Sequence, residues 1–320
     1  MPPLVNYNSP QALRRLLDET GLGMRKKFGQ NFLINPGARE QLLDALGIGK
    51  GDSVWEIGSG LGAMTAGLLE RGAAVTAFEF DRGFIALLQE FFGGQEGFSL
   101  VPGDVLKTWP KTRSPGEYLL GNLPYSIGAV LLADFIEKNR FFKRMVVMVQ
   151  REVARRIAAG PGSKDYSSFS VLCGSAYRVK PLMILKGSSF YPEPRVDSQG
   201  LSFDLRPVRI AGSPLFGPLV RCLFASRRKT VQNNLRNFIA SRLRGDRRGP
   251  SDASPGIAAE ILTGCGIPPN NRAENLSVED FAALAAALER IFPAKPGAVP
   301  DAVVKGACPE PERKEDGDRF

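Results

Sequence analysis

The 320-residue chain carries 42 Lys and Arg against 33 Asp and Glu, a net charge of +9, and 43% of it is hydrophobic, which suits one large or two ordinary domains and an anionic partner. It contains no histidine, which excludes Ser-His-Asp and Cys-His catalysis, imidazole general bases and His-ligated metals together. Cys173, Cys222, Cys265 and Cys308 stand singly, arguing against a zinc ribbon or a disulfide framework, and the absence of a long apolar run or a secretory plan predicts a cytosolic protein with a nucleic-acid rather than a membrane partner.

The first pattern is a helix around Ser9–Thr20, with Leu13, Leu16 and Leu17 at helical spacing and Ser9-Pro10 at its start. The basic run Arg25-Lys26-Lys27 then leads into Phe28-Gly29-Gln30-Asn31-Phe32-Leu33, either a polar loop or a donor-rich edge for a charged ligand. A helix over 36–46 follows. Ser53–Ile57 reads as a buried strand running into Gly58-Ser59-Gly60-Leu61-Gly62 and a helix over 63–70, the nucleotide-binding opening of a doubly wound fold. A second strand, 74–78, ends at Glu79, where such folds place a carboxylate on ribose hydroxyls. Gly58, Gly60 and Ala63 also fit a dinucleotide pattern. Glu56, just before the first glycine, suits the cationic S-adenosylmethionine better than a pyrophosphate.

A helix over 84–92 and a strand over 99–101 lead to Gly103-Asp104, either a turn or a carboxylate for an adenine amino group. Tyr118-Leu119-Leu120 is a fourth buried strand that stops abruptly at Gly121-Asn122-Leu123-Pro124-Tyr125. Pro124 disfavours helix at Leu123 and predicts a Leu123 carbonyl without a ladder or helix partner. With the Asn122 side-chain oxygen it makes two acceptors followed by an aromatic face, a grip for a flat ring bearing an amino group; the alternative is a strand-ending turn. A helix over 129–138, a strand over 145–149 and a helix over 151–159 bearing Arg151, Arg155 and Arg156 come next. A strand around 177–185 then precedes Phe190-Tyr191-Pro192-Glu193-Pro194-Arg195, a stiff loop whose Phe190 either closes over a base or packs in the core. Residues 202–205 complete the sheet.

From residue 210 the pattern turns helical, over 214–225, 228–241, 256–263 and 278–290, and carries Arg227, Arg228, Lys229, Arg236, Arg242, Arg244, Arg247 and Arg248. The division is a Rossmann-like domain with an N-terminal extension (1–209), a helical RNA-binding domain (210–292) and a disordered Pro/Gly-rich tail (293–320).

In order, Phe28–Leu33, Glu56–Leu61, Glu79 with Asp81, Asp104, Asn122–Tyr125, Phe190–Ser198, Arg227–Thr230 and Arg272–Leu276 closely resemble the ribosomal RNA small-subunit adenine N6,N6-dimethyltransferases of the KsgA type, over about residues 21–292. The resemblance implies a Rossmann-like S-adenosylmethionine-dependent methyltransferase sheet with a small all-α C-terminal domain. It implies that Asn31 and Leu33 hold the methionine end of S-adenosylmethionine, that Gly58 lines its bed, and that Glu79 takes the ribose and Asp104 the adenine. Asn122 then lies between cofactor and substrate, and Leu123, Pro124, Tyr125 and Phe190 complete the catalytic set. The implied substrate is a pair of adjacent adenines in a hairpin loop near the 3′ end of small-subunit (16S) rRNA, each methylated twice during ribosome biogenesis. Arg227, Arg228 and Lys229 contact that RNA, and the enzyme is a cytoplasmic monomer without a metal. Three other readings stay open: a large-subunit rRNA methyltransferase conferring antibiotic resistance, a mainly non-enzymatic assembly factor, and a nucleotide-binding dehydrogenase.

Overall fold

A computed structural model of the chain describes residues 5–22, 30–123, 127–208, 210, 213–246 and 254–293. Helix α1 (Pro10–Glu19) is capped by the Ser9 hydroxyl, which accepts from the Ala12 N–H. A two-residue strand β1 (Phe32–Leu33) leads to α2 (Pro36–Leu46), capped by Asn35 and closed by Gly47 in the left-handed conformation, φ +66°. The alternation β2 (Ser53–Ile57), α3 (Ala63–Glu70), β3 (Ala74–Glu79), α4 (Arg82–Phe92), β4 (Phe98–Pro102), α5 (Val105–Thr108), β5 (Tyr118–Asn122), α6 (Gly128–Glu137), β6 (Arg144–Gln150) then builds the parallel part of one sheet.

All five residues of β2 are buried because helices cover both faces of a parallel sheet, so its strands read as continuous apolar runs. Helices α7 (Arg151–Ala158) and α8 (Ser168–Ala176) lead to β7 (Tyr177–Leu185), β8 (Phe190–Tyr191) and β9 (Ser198–Leu205). The seven strands lie in the order β4-β3-β2-β5-β6-β9-β7, with β9 antiparallel to both β6 and β7. The chain winds outward one way from β2 and the other way from β5, so the switch point lies between these two paired strands, where open α/β sheets bind ligands at the carboxyl ends.

One core packs Trp55, Phe78, Phe135, Phe142 and Phe203 against α6–α8; the opposite face carries α2, α3 and α4. Helices α9 (Phe216–Ala225), α10 (Val231–Asp246), α11 (Ser254–Gly264) and α12 (Val278–Ile291) share a third core that also takes in Tyr166 and Val171. A capping box between Ser277 and Asp280 starts α12.

Most elements fall within two residues of their sequence boundaries, and three differences matter. Strands β1 and β8 form an antiparallel ribbon, with Leu33 opposite Phe190 and Phe32 opposite Tyr191, where the sequence predicts only loops. Strand β9 starts four residues early, at Ser198. Helix α10 starts at Val231 rather than Arg228, because Thr230 supplies the cap and the Lys229 N–H turns back to the Ser226 carbonyl. Arg227–Lys229 therefore form a turn. The Arg25–Gly29 run, Pro124, Tyr125, Arg247, Arg248 and nearly all of the expected tail lie outside the described residues, as does the side chain of Arg244.

Candidate active site

The loops after β2, β3, β4 and β5, together with β1, surround a cavity of about 360 Å³ at the switch point. The glycine loop forms its floor. Gly60 takes φ +56° with the Phe32 ring so close that a Cβ would stand 3.2 Å from it, and at Gly62, φ +86°, a Cβ would lie 2.5 Å from Phe92. Only glycine fits both the conformation and the space.

Glu79, at the end of β3, is 8% exposed, and its carboxylate accepts backbone N–H groups from Gly60 (2.8 Å), Phe80 (2.8 Å) and Asp81 (2.9 Å). Burial raises its pKa and these three donors oppose the shift. The carboxylate is thereby locked between the glycine loop and the start of α4. Asp81 caps α4 through the Gly83 N–H and receives the Gln30 side chain at 3.2 Å, which ties the segment before β1 to the same corner. Asp104 caps α5 by accepting from Leu106 through Oδ1, while Oδ2 has Lys107 at 3.9 Å.

Asn122 donates from Nδ2 to the Asn31 carbonyl, 3.1 Å away. A carbonyl can only accept, so this bond fixes the amide orientation and leaves Oδ1 as the acceptor on the other side. The Leu123 N–H donates to the Met148 carbonyl at 3.1 Å, and the Leu123 side chain is 1% exposed, wedged against Gly121 and Gly128. Neither Asn122 Oδ1 nor the Leu123 carbonyl accepts a hydrogen bond from a described residue. The structure thus brings Asn31, Leu33, Gly58, Glu79, Asp104, Asn122 and Leu123 to one cavity.

Three expectations need correction. Phe190 does not line the cavity: it is 4% exposed, in a core with Leu33, Leu42 and Met148, because its place opposite Leu33 in the ribbon commits its ring to packing. Glu56 does not face a cationic ligand directly. The residue is 3% exposed, its carboxylate accepts the Thr65 hydroxyl of α3 at 2.6 Å, and burial pushes its pKa up to about 7. Arg227 is spent within the protein: its guanidinium donates to the Lys164 carbonyl (3.1 Å), the Tyr166 carbonyl (3.0 Å) and Glu274 (3.2 Å). Arg228 and Lys229 are exposed and form no ion pair with a described residue. Two cavity residues, Tyr7 and Leu13, come from the N-terminal segment and carried no signal in the sequence beyond the apolar face of α1.

The sequence profile of the family described as Ribosomal RNA adenine dimethylase matches residues 21–246. A curated relative from Treponema denticola, the Ribosomal RNA small subunit methyltransferase A, is 42% identical over 287 residues, covering 88% of this chain and 94% of its own. The chain belongs to the ribosomal RNA adenine dimethylase family. A crystal structure of a dimethyladenosine transferase from Plasmodium falciparum shares the fold, with a TM-score of 0.71, 24% identity and coverage of 80% of this chain and 96% of that one. The 23S rRNA methyltransferase ErmE does so as well, at a TM-score of 0.60 and 20% identity over 80% of this chain and 99% of that one. The fold is therefore shared with both enzymes, whereas the 42% sequence identity is to a relative named for the small subunit.

As a ribosomal RNA adenine dimethylase, the chain is an enzyme that takes its methyl groups from S-adenosylmethionine. The cavity fits that donor. Among its described lining residues are Glu79, Asp81 and Asp104 but no Lys or Arg, the reverse of what a pyrophosphate needs and the right sign for a ligand bearing ammonium and sulfonium charges. Ser59 is also a lining residue; its buried hydroxyl lies near enough to Glu56 to favour the ionised form of that acid yet makes no hydrogen bond of normal geometry with a described residue. No helix among the described residues is long and apolar enough to cross a membrane.

Proposed function

We propose that the chain transfers methyl groups to N6 of two adjacent adenines in a hairpin loop near the 3′ end of small-subunit rRNA, giving N6,N6-dimethyladenosine, in the cytoplasm during ribosome assembly. The name of the 42%-identical relative supports the small-subunit substrate. In this reading Asn31 and Leu33 meet the methionine end of the cofactor and Gly58 lies beneath it. Glu79, already held by three backbone donors, offers its remaining lone pair to the ribose hydroxyls, and Asp104 accepts from the adenine amino group.

The observation that carries the mechanism is the orientation of the Asn122 amide. Adenine N6 is a poor nucleophile because its lone pair is delocalised into the ring. Asn122 Oδ1 and the Leu123 carbonyl, one on a side chain pinned to Asn31 and the other on backbone pinned to Met148, accept the two N6 hydrogens and draw them out of the plane. Both acceptors are in place before reaction, so they cost no reorganisation as positive charge develops on nitrogen. S-adenosylmethionine supplies the methyl group by in-line displacement at its sulfonium carbon. The displaced N6 proton leaves to water, since an amide oxygen is too weak a base to keep it. In this reading Tyr125 is the residue that supplies an aromatic face for the base. Loop adenines cost little to unstack, which suits an enzyme that works on a base outside the helix. Arg228 and Lys229 reach phosphates.

The test is to incubate the protein separately with unmethylated small and large subunits and labelled S-adenosylmethionine, then locate the label by nuclease mapping. Label confined to N6 of two neighbouring adenines in a small-subunit 3′ hairpin is the expected result. Label on large-subunit RNA would overturn the substrate assignment.

A further inference from the structure

Most of the cavity is built by residues 30–148, yet one wall comes from the N-terminal segment, residues 5–22. Tyr7 and Leu13 line it. The Tyr7 hydroxyl donates to the Leu61 carbonyl at 3.0 Å, and Leu61 stands between Gly60 and Gly62, both at positive φ. This peptide is the most conformationally free part of the cavity floor, so an outside hydrogen bond there has the most to fix. Burial, with Glu56 nearby, raises the tyrosine pKa far above its ordinary value, so the hydroxyl is a permanent donor at any working pH.

The same segment is tied to the opposite side of the cavity. Arg39 of α2 donates to the Leu33 carbonyl at 2.8 Å and also to the Asn8 side chain, so one guanidinium clasps β1 and the N-terminal segment together. Leu13 and Leu17 pack with Leu61, Phe84, Leu88 and Phe92, and Leu22 covers Gly83 so closely that a Cβ there would lie 2.1 Å from it. The segment therefore spans the glycine loop on one side and β1 on the other. Asp104 follows the edge strand β4, and its side chain bonds within its own turn, to the Leu106 N–H.

We propose that residues 5–22 form a strap over the methionine end of the cofactor site and that Tyr7 is its positioning residue, holding the Gly60–Gly62 backbone in the conformation that receives S-adenosylmethionine. This rests on the reading above, in which Asn31, Leu33 and Gly58 surround the methionine end and Asp104 the adenine.

The experiment is calorimetry of wild type, Tyr7→Phe and Tyr7→Ala with two probes, S-adenosylhomocysteine and adenosine, which lacks the methionine end. Tyr7→Phe keeps the ring and loses the hydrogen bond, so S-adenosylhomocysteine should bind about 2- to 10-fold more weakly, the worth of one neutral hydrogen bond. Tyr7→Ala should weaken it further, and adenosine, which meets the glycine loop only indirectly through the Gly60–Glu79 hydrogen bond, should lose clearly less affinity than S-adenosylhomocysteine in both variants. Equal losses for the two probes would make Tyr7 a general packing residue and overturn the proposal, as would unchanged affinity for both. If Tyr7→Ala does not fold, Tyr7→Phe decides alone. Wild type that binds neither probe would remove the cofactor reading itself and the strap with it, whereas failure of the variants alone leaves that reading standing.

Discussion

The cavity and the Arg227–Lys229 turn make an instructive pair, because each concentrates charge of one sign and the two use it differently. In the cavity, Glu79, Asp81 and Asp104 stand at strand ends and each is held by backbone N–H groups, so the backbone decides where the charge points. At the turn, three consecutive cations are all exposed but differ in what they bind: Arg227 folds back on the Lys164 and Tyr166 carbonyls, while Arg228 and Lys229 form no ion pair with a described residue. The Tyr166 hydroxyl reaches the Leu276 carbonyl at 3.0 Å and Arg221 meets Glu137 at 2.6 Å, so Arg227 belongs to a set of bonds joining helices α9–α12 to α6 and to the segment between α7 and α8. A sequence cluster of charge is a functional patch only where the fold leaves it nothing else to bind.

The largest effect should come from beneath the cavity. Glu56 has a folded-state pKa of about 7, above its unfolded value, so the folded protein binds the extra proton. Stability contributed by the neutral acid is present below about pH 4.5, is lost as pH rises towards 7, and then levels off at a cost of roughly 3 kcal/mol. Glu56→Gln should remove that slope and stabilise the cofactor-free protein at pH 8, read from denaturant unfolding at several pH values; an identical pH profile would show that Glu56 is not the titrating group. Next, Glu79→Ala should weaken S-adenosylhomocysteine binding by roughly 1.5–3 kcal/mol, as lost charge-assisted hydrogen bonds do. Unchanged calorimetric affinity would take Glu79 out of the site.

The smallest effects divide the turn. Arg227→Ala should lower stability by about 0.5–1.5 kcal/mol, because the Lys164 and Tyr166 carbonyls lose a donor at a partly exposed site. The double change of Arg228 and Lys229 to Glu should leave unfolding unaltered and reduce the salt slope of small-subunit binding by about 2, one for each phosphate no longer neutralised. The reverse pattern, with Arg227 governing the slope, would return Arg227 to the RNA surface.

The sheet, the glycine loop, Glu79 and Asn122 were legible because each lies at a strand end marked by a local change of pattern, from apolar run to glycine, acid or amide. The β1–β8 ribbon was not, since two-residue strands have no periodicity, and without it Phe190 looked available to a base. Glu56 sits one residue before Ile57, but only the register of β2 against α3 shows that its carboxylate meets Thr65 rather than the cavity. Tyr7 lies 54 residues from the carbonyl it holds, and no local pattern carries that pairing. Local signals located residues that line the cavity, whereas the bonds that brace it are long-range and become visible only in the folded chain.

The most direct test of the central claim, that a pinned Asn122 amide activates N6, is the single-turnover rate of Asn122→Ala on unmethylated small subunits, measured beside its affinities for subunits and S-adenosylhomocysteine. The account predicts a rate about 10²–10³-fold lower, the usual cost of removing one preorganised group in a charge-stabilising site, with both affinities within about twofold of wild type. A rate near wild type, or affinities that fall in step with the rate, would contradict it.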